Sequence, residues 1–418
     1  MTQRQRTDRL LSSAMTSHHI NSNFSLAILA SVGAGAALTI AGQYWLARRK
    51  PDGETDPSIG HSLVWSSIGG AMNAAMMYTG DRLKLYETLR EMCAKPASSV
   101  TAIELAEATG LNQRWLREWL AQQAAMGVLK LLSGTENDDA ALRYRLPKAT
   151  AEVLADPDSR EYDIAMIQAV PSLVNRAKTM LPEAFATGMG RPYDEADVAE
   201  AIDRNHRKHV RDVFIPLVLR PALGGSIAQH LEDGCDVADL GCGAGVMLIL
   251  LAKSFPKSSF HGFEVSQVAL EKAAFHVAAA RVSNVFLHNA TEPGESLRDQ
   301  PSQFDLVVVF DVLHDSPFPD DLIQQVKTAL KPSGAWLLAD IPSAPTTREN
   351  LVQMPTASTY FAFSTCLCMS CSLSEEGGAG LGTLGFSVPV AEKMLREGGF
   401  KFVKVLLEKD NARWFLVH

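Results

Sequence analysis

One stretch constrains the fold more than any other: Val237 to Gly245, reading Val-Ala-Asp-Leu-Gly-Cys-Gly-Ala-Gly. A short apolar strand runs straight into a turn with glycine at alternate positions, Gly241, Gly243 and Gly245. Lacking Cβ atoms, such a turn lets the main chain pass close beneath a bound ligand. A dinucleotide fingerprint needs a glycine at the sixth position, where Val246 stands, and a P-loop would end in Lys-Ser/Thr, which is missing. Downstream, Val246 to Phe255 reads as a buried helix stopped by Pro256, and Phe260 to Glu264 as a second strand. Its terminal acid lies 23 residues beyond Gly241 (264 minus 241). An acid in that place accepts hydrogen bonds from both ribose hydroxyls of an adenosine-type ligand.

The Gly-x-Gly-x-Gly turn resembles that of the class I S-adenosylmethionine-dependent methyltransferases. Further strands are expected at Asn284 to His288, Phe304 to Phe310 and Ala335 to Asp340, with a helix over Asp320 to Leu330. The run Phe304 to Phe310 is apolar apart from Asp305, as befits a strand covered on both faces. A helix at Val390 to Glu397 and strands at Phe400 to Leu407 and Arg413 to Val417 complete the order. Five strand–helix units and a closing hairpin over Ser226 to His418 resemble that family, which implies an α/β, doubly wound, Rossmann-like seven-stranded sheet. Ligands of such sheets sit outside the carboxyl ends of the strands. Asp239, Glu264, Asn289, Asp311 and His314 all fall at such ends and are expected to converge. The resemblance places Asp239 beside the ligand's ammonium group. It also places Asn289 where the family, more often with Asp, contacts the adenine amine; an amide oxygen can accept that bond.

S-adenosylmethionine is already a strong methyl donor, so the protein mainly aligns the acceptor and excludes water, a contribution of roughly 7–11 kcal/mol. A hydroxyl acceptor must also lose a proton; a phenol has a pKa near ~10, and a histidine suits the task. Val312-Leu-His-Asp315 resembles the Leu-His-Asp motif of small-molecule O-methyltransferases, which implies His314 as general base. Ser316-Pro317 replaces the family's Trp, and no second acidic partner is identifiable from the sequence. Alternatives stay open: His314 capping a strand end, N-, C- or S-methylation without a base, or a regulator that binds S-adenosylmethionine without turnover.

In the N-terminal half, Thr101-Ala-Ile-Glu104 is a capping box opening a helix that Gly110 closes, and Asn112 caps a second helix ending at Met126. Val128 to Leu132 and Ala141 to Leu146 read as a two-stranded wing around the turn Ser133 to Asp139. This winged helix either binds DNA through Arg114 and Arg117 or serves as a dimerisation and lid module. From Thr101 to Lys148, six basic residues (Arg114, Arg117, Lys130, Arg143, Arg145, Lys148) balance six acids (Glu104, Glu107, Glu118, Glu136, Asp138, Asp139), offering little to phosphates. A chain-wide formal charge of -8 points the same way, and no nucleic-acid partner is expected.

Gly80-Asp-Arg-Leu-Lys-Leu-Tyr86, Leu116-Arg-Glu-Trp-Leu120, Tyr144-Arg-Leu-Pro147, Val153-Leu-Ala-Asp156 and Ser372 to Gly382 make the chain similar to the mycobacterial Rv2258c-like group of winged-helix methyltransferases. That resemblance implies a homodimer acting on a small molecule. Tyr162 to Leu223 is expected to be helical and to roof the acceptor pocket, where Tyr193, His206 and Phe214 are candidates, though each reads equally as core or exposed helix. His206 and His209, three apart, lack a spaced acidic or thiol partner for a metal and read as an exposed charged face. Cys366, Cys368 and Cys371 read as pocket wall rather than a metal or arsenic seat, and no metal is expected.

With 418 residues and 46% hydrophobic content the chain supports several domains. Phe24 to Leu46 is uncharged over 23 residues, followed by Arg48-Arg-Lys50, and reads as a membrane span with the catalytic part cytosolic. A mitochondrial membrane is the alternative. The expected division is a tail at 1–23, a transmembrane helix at 24–47, a linker at 48–61, a winged-helix dimerisation domain at 62–150, a helical linker at 151–225 and a methyltransferase domain at 226–418.

Overall fold

The computed structural model describes residues 57–95, 97–132, 141–192 and 194–418. Residues 57–73 with 125–127 belong to one compact unit, and 74–124 with 128–418 form the other.

The expected capping box is present: Thr101 Oγ1 accepts from Glu104 N at 3.2 Å while Thr101 N donates to Glu104 Oε2 at 2.7 Å, opening the helix Ala102–Thr109. Gly110, at φ +70°, ends it in the left-handed conformation that favours glycine. The helix Gln113–Met126 follows, then β1 (Lys130–Leu131) pairs antiparallel with β2 (Tyr144–Arg145). The wing strands are thus shorter than the apolar runs suggest, and the turn 133–139 lies outside the described residues. Leu89, Leu105, Leu116 and Leu120 are buried, and Tyr86 Oη donates to Gln123 Oε1 at 2.7 Å, which satisfies both groups inside that core. Several wing-domain cations are already engaged by acids, Arg114 by Glu118 and Arg143 by Glu104.

The second half is a seven-stranded sheet built from β3 (Asp236–Leu240), β4 (Ser259–Glu264), β5 (Val285–Asn289), β6 (Phe304–Phe310), β7 (Leu330–Asp340), β8 (Val403–Lys409) and β9 (Ala412–Val417). Their spatial order is β5-β4-β3-β6-β7-β9-β8, with β9 alone running antiparallel to its neighbours. The order reverses between β3 and β4 on one side and β6 on the other, which opens the crevice where such sheets bind ligands. Alternate residues of each strand feed two cores. Val237, Leu306, Val308, Leu337 and Trp414 enter one; Ala238, Val307, Val309, Leu338 and Phe415 enter the other. A strand buried on both faces must be apolar at every position, which is why β6 reads as an unbroken run after Asp305.

The helix Ala196–His209 continues into a π-helical stretch, Val210–Leu219, that contains Pro216, a residue with no N–H to donate. His209 is buried against the sheet, accepting from Trp414 Nε1 at 2.9 Å, and His206 stacks on Phe310 with ring centroids 4.1 Å apart. The exposed charged face expected for these two histidines is therefore corrected: aromatic packing turns both inward. Phe214 is core, stacked on Trp414. The expected membrane placement is corrected too. The segment 24–47 lies outside the described residues, and among the described residues no helix is long and apolar enough to cross a membrane.

Candidate active site

Two cavities meet at the carboxyl ends of β3 and β6. The first, of about 570 Å³, is floored by the glycine turn. Gly241, Gly243 and Gly245 have φ of +75°, +54° and +89°, values that L side chains rarely adopt. A Cβ on Gly241 would stand 2.5 Å from Val312 Cγ2, so close packing demands glycine there. A Cβ on Gly243 would meet nothing within 4 Å, although Gly243 lines the cavity. That opening is where a ligand can approach the main chain.

Glu264, at the end of β4, folds back over this turn. Its Oε2 accepts from Gly243 N at 2.9 Å and its Oε1 from Val265 N and Ser266 N, each at 2.9 Å. Burial raises its pKa despite these three bonds. Oε2 keeps a lone pair for a ligand hydroxyl. Asp239 is 3% exposed; burial first, then the charges of Glu264 and Asp203, push it up to about 8. Seven acids line this cavity (Asp203, Asp239, Glu264, Asp311, Asp315, Asp321 and Glu375) and no lysine or arginine does. Such a surface repels phosphates and attracts a cation. An adenosine bearing sulfonium and ammonium charges fits it; a dinucleotide does not.

Asn289 is not in the wall of this cavity, which is formed there by Ala290 and Thr291. Its amide oxygen accepts from Thr291 N at 3.1 Å and Thr291 Oγ1 at 2.7 Å, and its nitrogen donates to Gln267. In this arrangement the Asn289 amide is engaged by a local turn.

The second cavity, about 750 Å³, holds His314, Cys368, Thr383 and the aromatic rings of Tyr360 and Phe363. Ile202, His206, Phe310, Asp311 and Asp315 line both cavities and form their common wall. His314 is 1% exposed, and its Nδ1 lies 2.9 Å from Asp340 Oδ1, which also accepts from Ile341 N. Burial pulls the imidazole's pKa down, but Asp340 and the hydrogen-bonded Cys368 thiol outweigh it and hold it well above the ordinary histidine value. Asp311, at φ +64°, points Oδ1 to 3.6 Å from the same Nδ1 and Oδ2 to 3.7 Å from His206 Nε2. A positive φ on a non-glycine residue stores strain of order 1–3 kcal/mol, here at the junction of the cavities. His206 is pulled down to about 4, chiefly by burial, and is neutral near pH 7.

The ligand-capable atoms of Asp311, His314 and Asp340 lie within 4.8 Å of one another. His314 Nδ1 is already engaged by Asp340 Oδ1. Of the cysteines, Cys368 lines the second cavity and Cys371 the first, while Cys366 lines neither, so the three thiols face different spaces. Tyr193 lies outside the described residues.

The structure therefore places Asp239, Gly241, Gly243, Glu264 and Asp311 in the wall of the first cavity and His314 in that of the second, with Gly245 and Asn289 in neither wall. Sequence reading missed Asp340 and Asp203. Asp340 carried a usable signal, since it ends a strand like the others. Asp203 sits mid-helix, 36 residues before Asp239, and carried none.

Fold and crevice together are those of a methyltransferase domain. Residues 231–409 match the methyltransferase domain family and residues 71–156 the Rv2258c-like winged HTH domain family. An arsenite methyltransferase of Aquipseudomonas alcaligenes is 32% identical over 123 residues, 28% of this chain and 36% of that protein. A ubiquinone biosynthesis O-methyltransferase of Albidiferax ferrireducens is 27% identical over 147 residues, 34% of this chain and 57% of that one. The chain thus spans less than two thirds of the length of these curated relatives. Human N-acetylserotonin methyltransferase, solved with S-adenosylmethionine, superposes with a TM-score of 0.60 at 14% identity, covering 88% of this chain and 99% of that one. Mitomycin 7-O-methyltransferase MmcR gives 0.53 at 19%, covering 87% and 98%. At such identities these likenesses speak to the fold alone.

Proposed function

We propose that the protein transfers a methyl group from S-adenosylmethionine to a hydroxyl oxygen of a small molecule, with His314 as general base. S-adenosylmethionine supplies an electrophilic methyl on a sulfonium. The glycine turn supports the nucleoside from below, Glu264 takes the ribose hydroxyls and Asp239 the ammonium. Ala290 and Thr291 border the adenine in place of Asn289. The acceptor occupies the cavity of Tyr360 and Phe363, with its hydroxyl at the common wall. Asp340 fixes the His314 tautomer by accepting from Nδ1, which leaves Nε2 to take the acceptor's proton. The His314–Asp340 contact beside the donor cavity carries this reading, because a merely structural histidine gains nothing from standing there.

Residues 62–150, 151–225 and 226–418 would serve as winged-helix, connecting and catalytic parts. The apolar side chains Leu63, Trp65, Ile68 and Met72, exposed on the helix Pro57–Arg82, support a homodimer through the N-terminal part. The test is mass spectrometry of products after incubation with S-adenosylmethionine and a library of hydroxyl-bearing metabolites. A product heavier by one methylene is expected, and His314→Ala should cut its rate by about 10²–10⁴-fold with donor binding intact. Unchanged turnover in that variant would remove His314 from the mechanism.

A further inference from the structure

Asp203 belongs to the helix Ala196–His209, outside the seven-stranded sheet, yet its side chain lies in the donor cavity. The carboxylate is 13% exposed, and its Oδ1 accepts from Val246 N at 2.8 Å. Val246 opens the helix that follows the glycine turn, and the residue before it, Gly245, has no side chain with which to cap. Asp203 therefore supplies that cap from another element. Its Oδ2 lies 3.9 Å from His276 Nδ1, and His276 in turn contacts Ala244 O at 3.0 Å. One turn earlier, Glu200 pairs with Lys272 at 2.5 Å, which pins the same helix to the donor side of the sheet. Asp203 is close enough to Asp239 to raise its proton affinity, and burial lifts Asp203 itself to about 6. A cap alone needs one oxygen and no charge. His276 and Arg207 offset part of the cost of burying this carboxylate, while among the described residues no lysine or arginine lines the cavity it faces.

We propose that Asp203 is a donor-binding residue whose carboxylate pairs with the α-ammonium group of the methyl donor's methionyl end, while its other oxygen caps the helix beneath it. This rests on the donor-site reading above and adds a carboxylate that the sheet itself does not provide. Because the residue comes from the connecting helix, donor binding and the placement of that helix become one event.

The test is calorimetric titration at pH 8 of wild type and Asp203→Asn with three probes: S-adenosylmethionine, S-adenosylhomocysteine and 5′-methylthioadenosine. The last carries the same nucleoside and no methionyl group. Asn keeps an oxygen for Val246 N–H and loses the charge. Losing a charged hydrogen bond predicts roughly 10- to 100-fold weaker binding of the first two probes, with 5′-methylthioadenosine bound within about twofold of wild type. Asp203→Ser, which also retains a capping oxygen, should give the same split and covers the case of an unfolded amide variant. Glu232→Gln, an exposed acid paired with Arg220 and outside the cavity, should change none of the three. Equal losses for all three probes would make Asp203 a structural cap only, and no loss for any would overturn the proposal. Wild-type protein that binds none of them would instead bring down the donor-site reading, and this inference with it.

Discussion

His314 shows how one contact sets the working range of a site. Asp340 and Cys368 overcome the effect of burial and stabilise the protonated ring, so the resting imidazole holds a proton near neutrality. A general base must be neutral to act. Activity should therefore rise with pH on a limb placed well above the ordinary histidine value. Asp340→Asn removes the charge that favours imidazolium, so that limb should move to lower pH while the maximal rate falls. A pH–rate profile whose limb stays put in Asp340→Asn would dissociate the pair from catalysis. Glu264 and the glycines were legible because their chemistry is local: strand, turn and terminal acid lie within one short segment. Asp340 was legible only as one more strand-ending acid and not as the partner of His314, which lies 26 residues away and meets it only once β6 and β7 pair. The bonds from Thr291, two residues on, to the Asn289 amide are a local competition that residue type alone does not reveal.

At the scale of elements, the strands were readable from apolar runs, and their bounds agree with the structure to within a few residues. The connecting helix was readable as a helix, but its buried face was not. Its histidines look like solvent-facing residues by charge, and only the tertiary fold sets His209 against Trp414 and His206 against Phe310. Burial lowers His209 to about 4, so it is neutral and accepts from the indole N–H. Trp414→Phe would leave that buried acceptor unpaired at a cost of about 1–3 kcal/mol. Urea denaturation should show the midpoint falling with an unchanged slope. A stability loss below a few tenths of a kcal/mol would mean that the contact does not anchor the helix.

For the whole molecule, charge carries more of the account than shape does. The fold is shared with proteins of many acceptors, whereas the donor cavity's seven acids and absent basic residues make a chemical statement about its ligand. In the winged helix Arg114 pairs with Glu118 and Arg143 with Glu104, so part of its positive charge is engaged within the domain. The central claim is that the glycine turn and Glu264 hold a cationic nucleoside, and calorimetry tests it most directly. Wild-type protein should bind S-adenosylmethionine with one site per chain and show no heat with ATP or NAD, and the double variant Gly243→Val/Glu264→Ala should lose the S-adenosylmethionine signal. Binding of the phosphate-bearing ligands instead, or undiminished S-adenosylmethionine binding in the double variant, would contradict it.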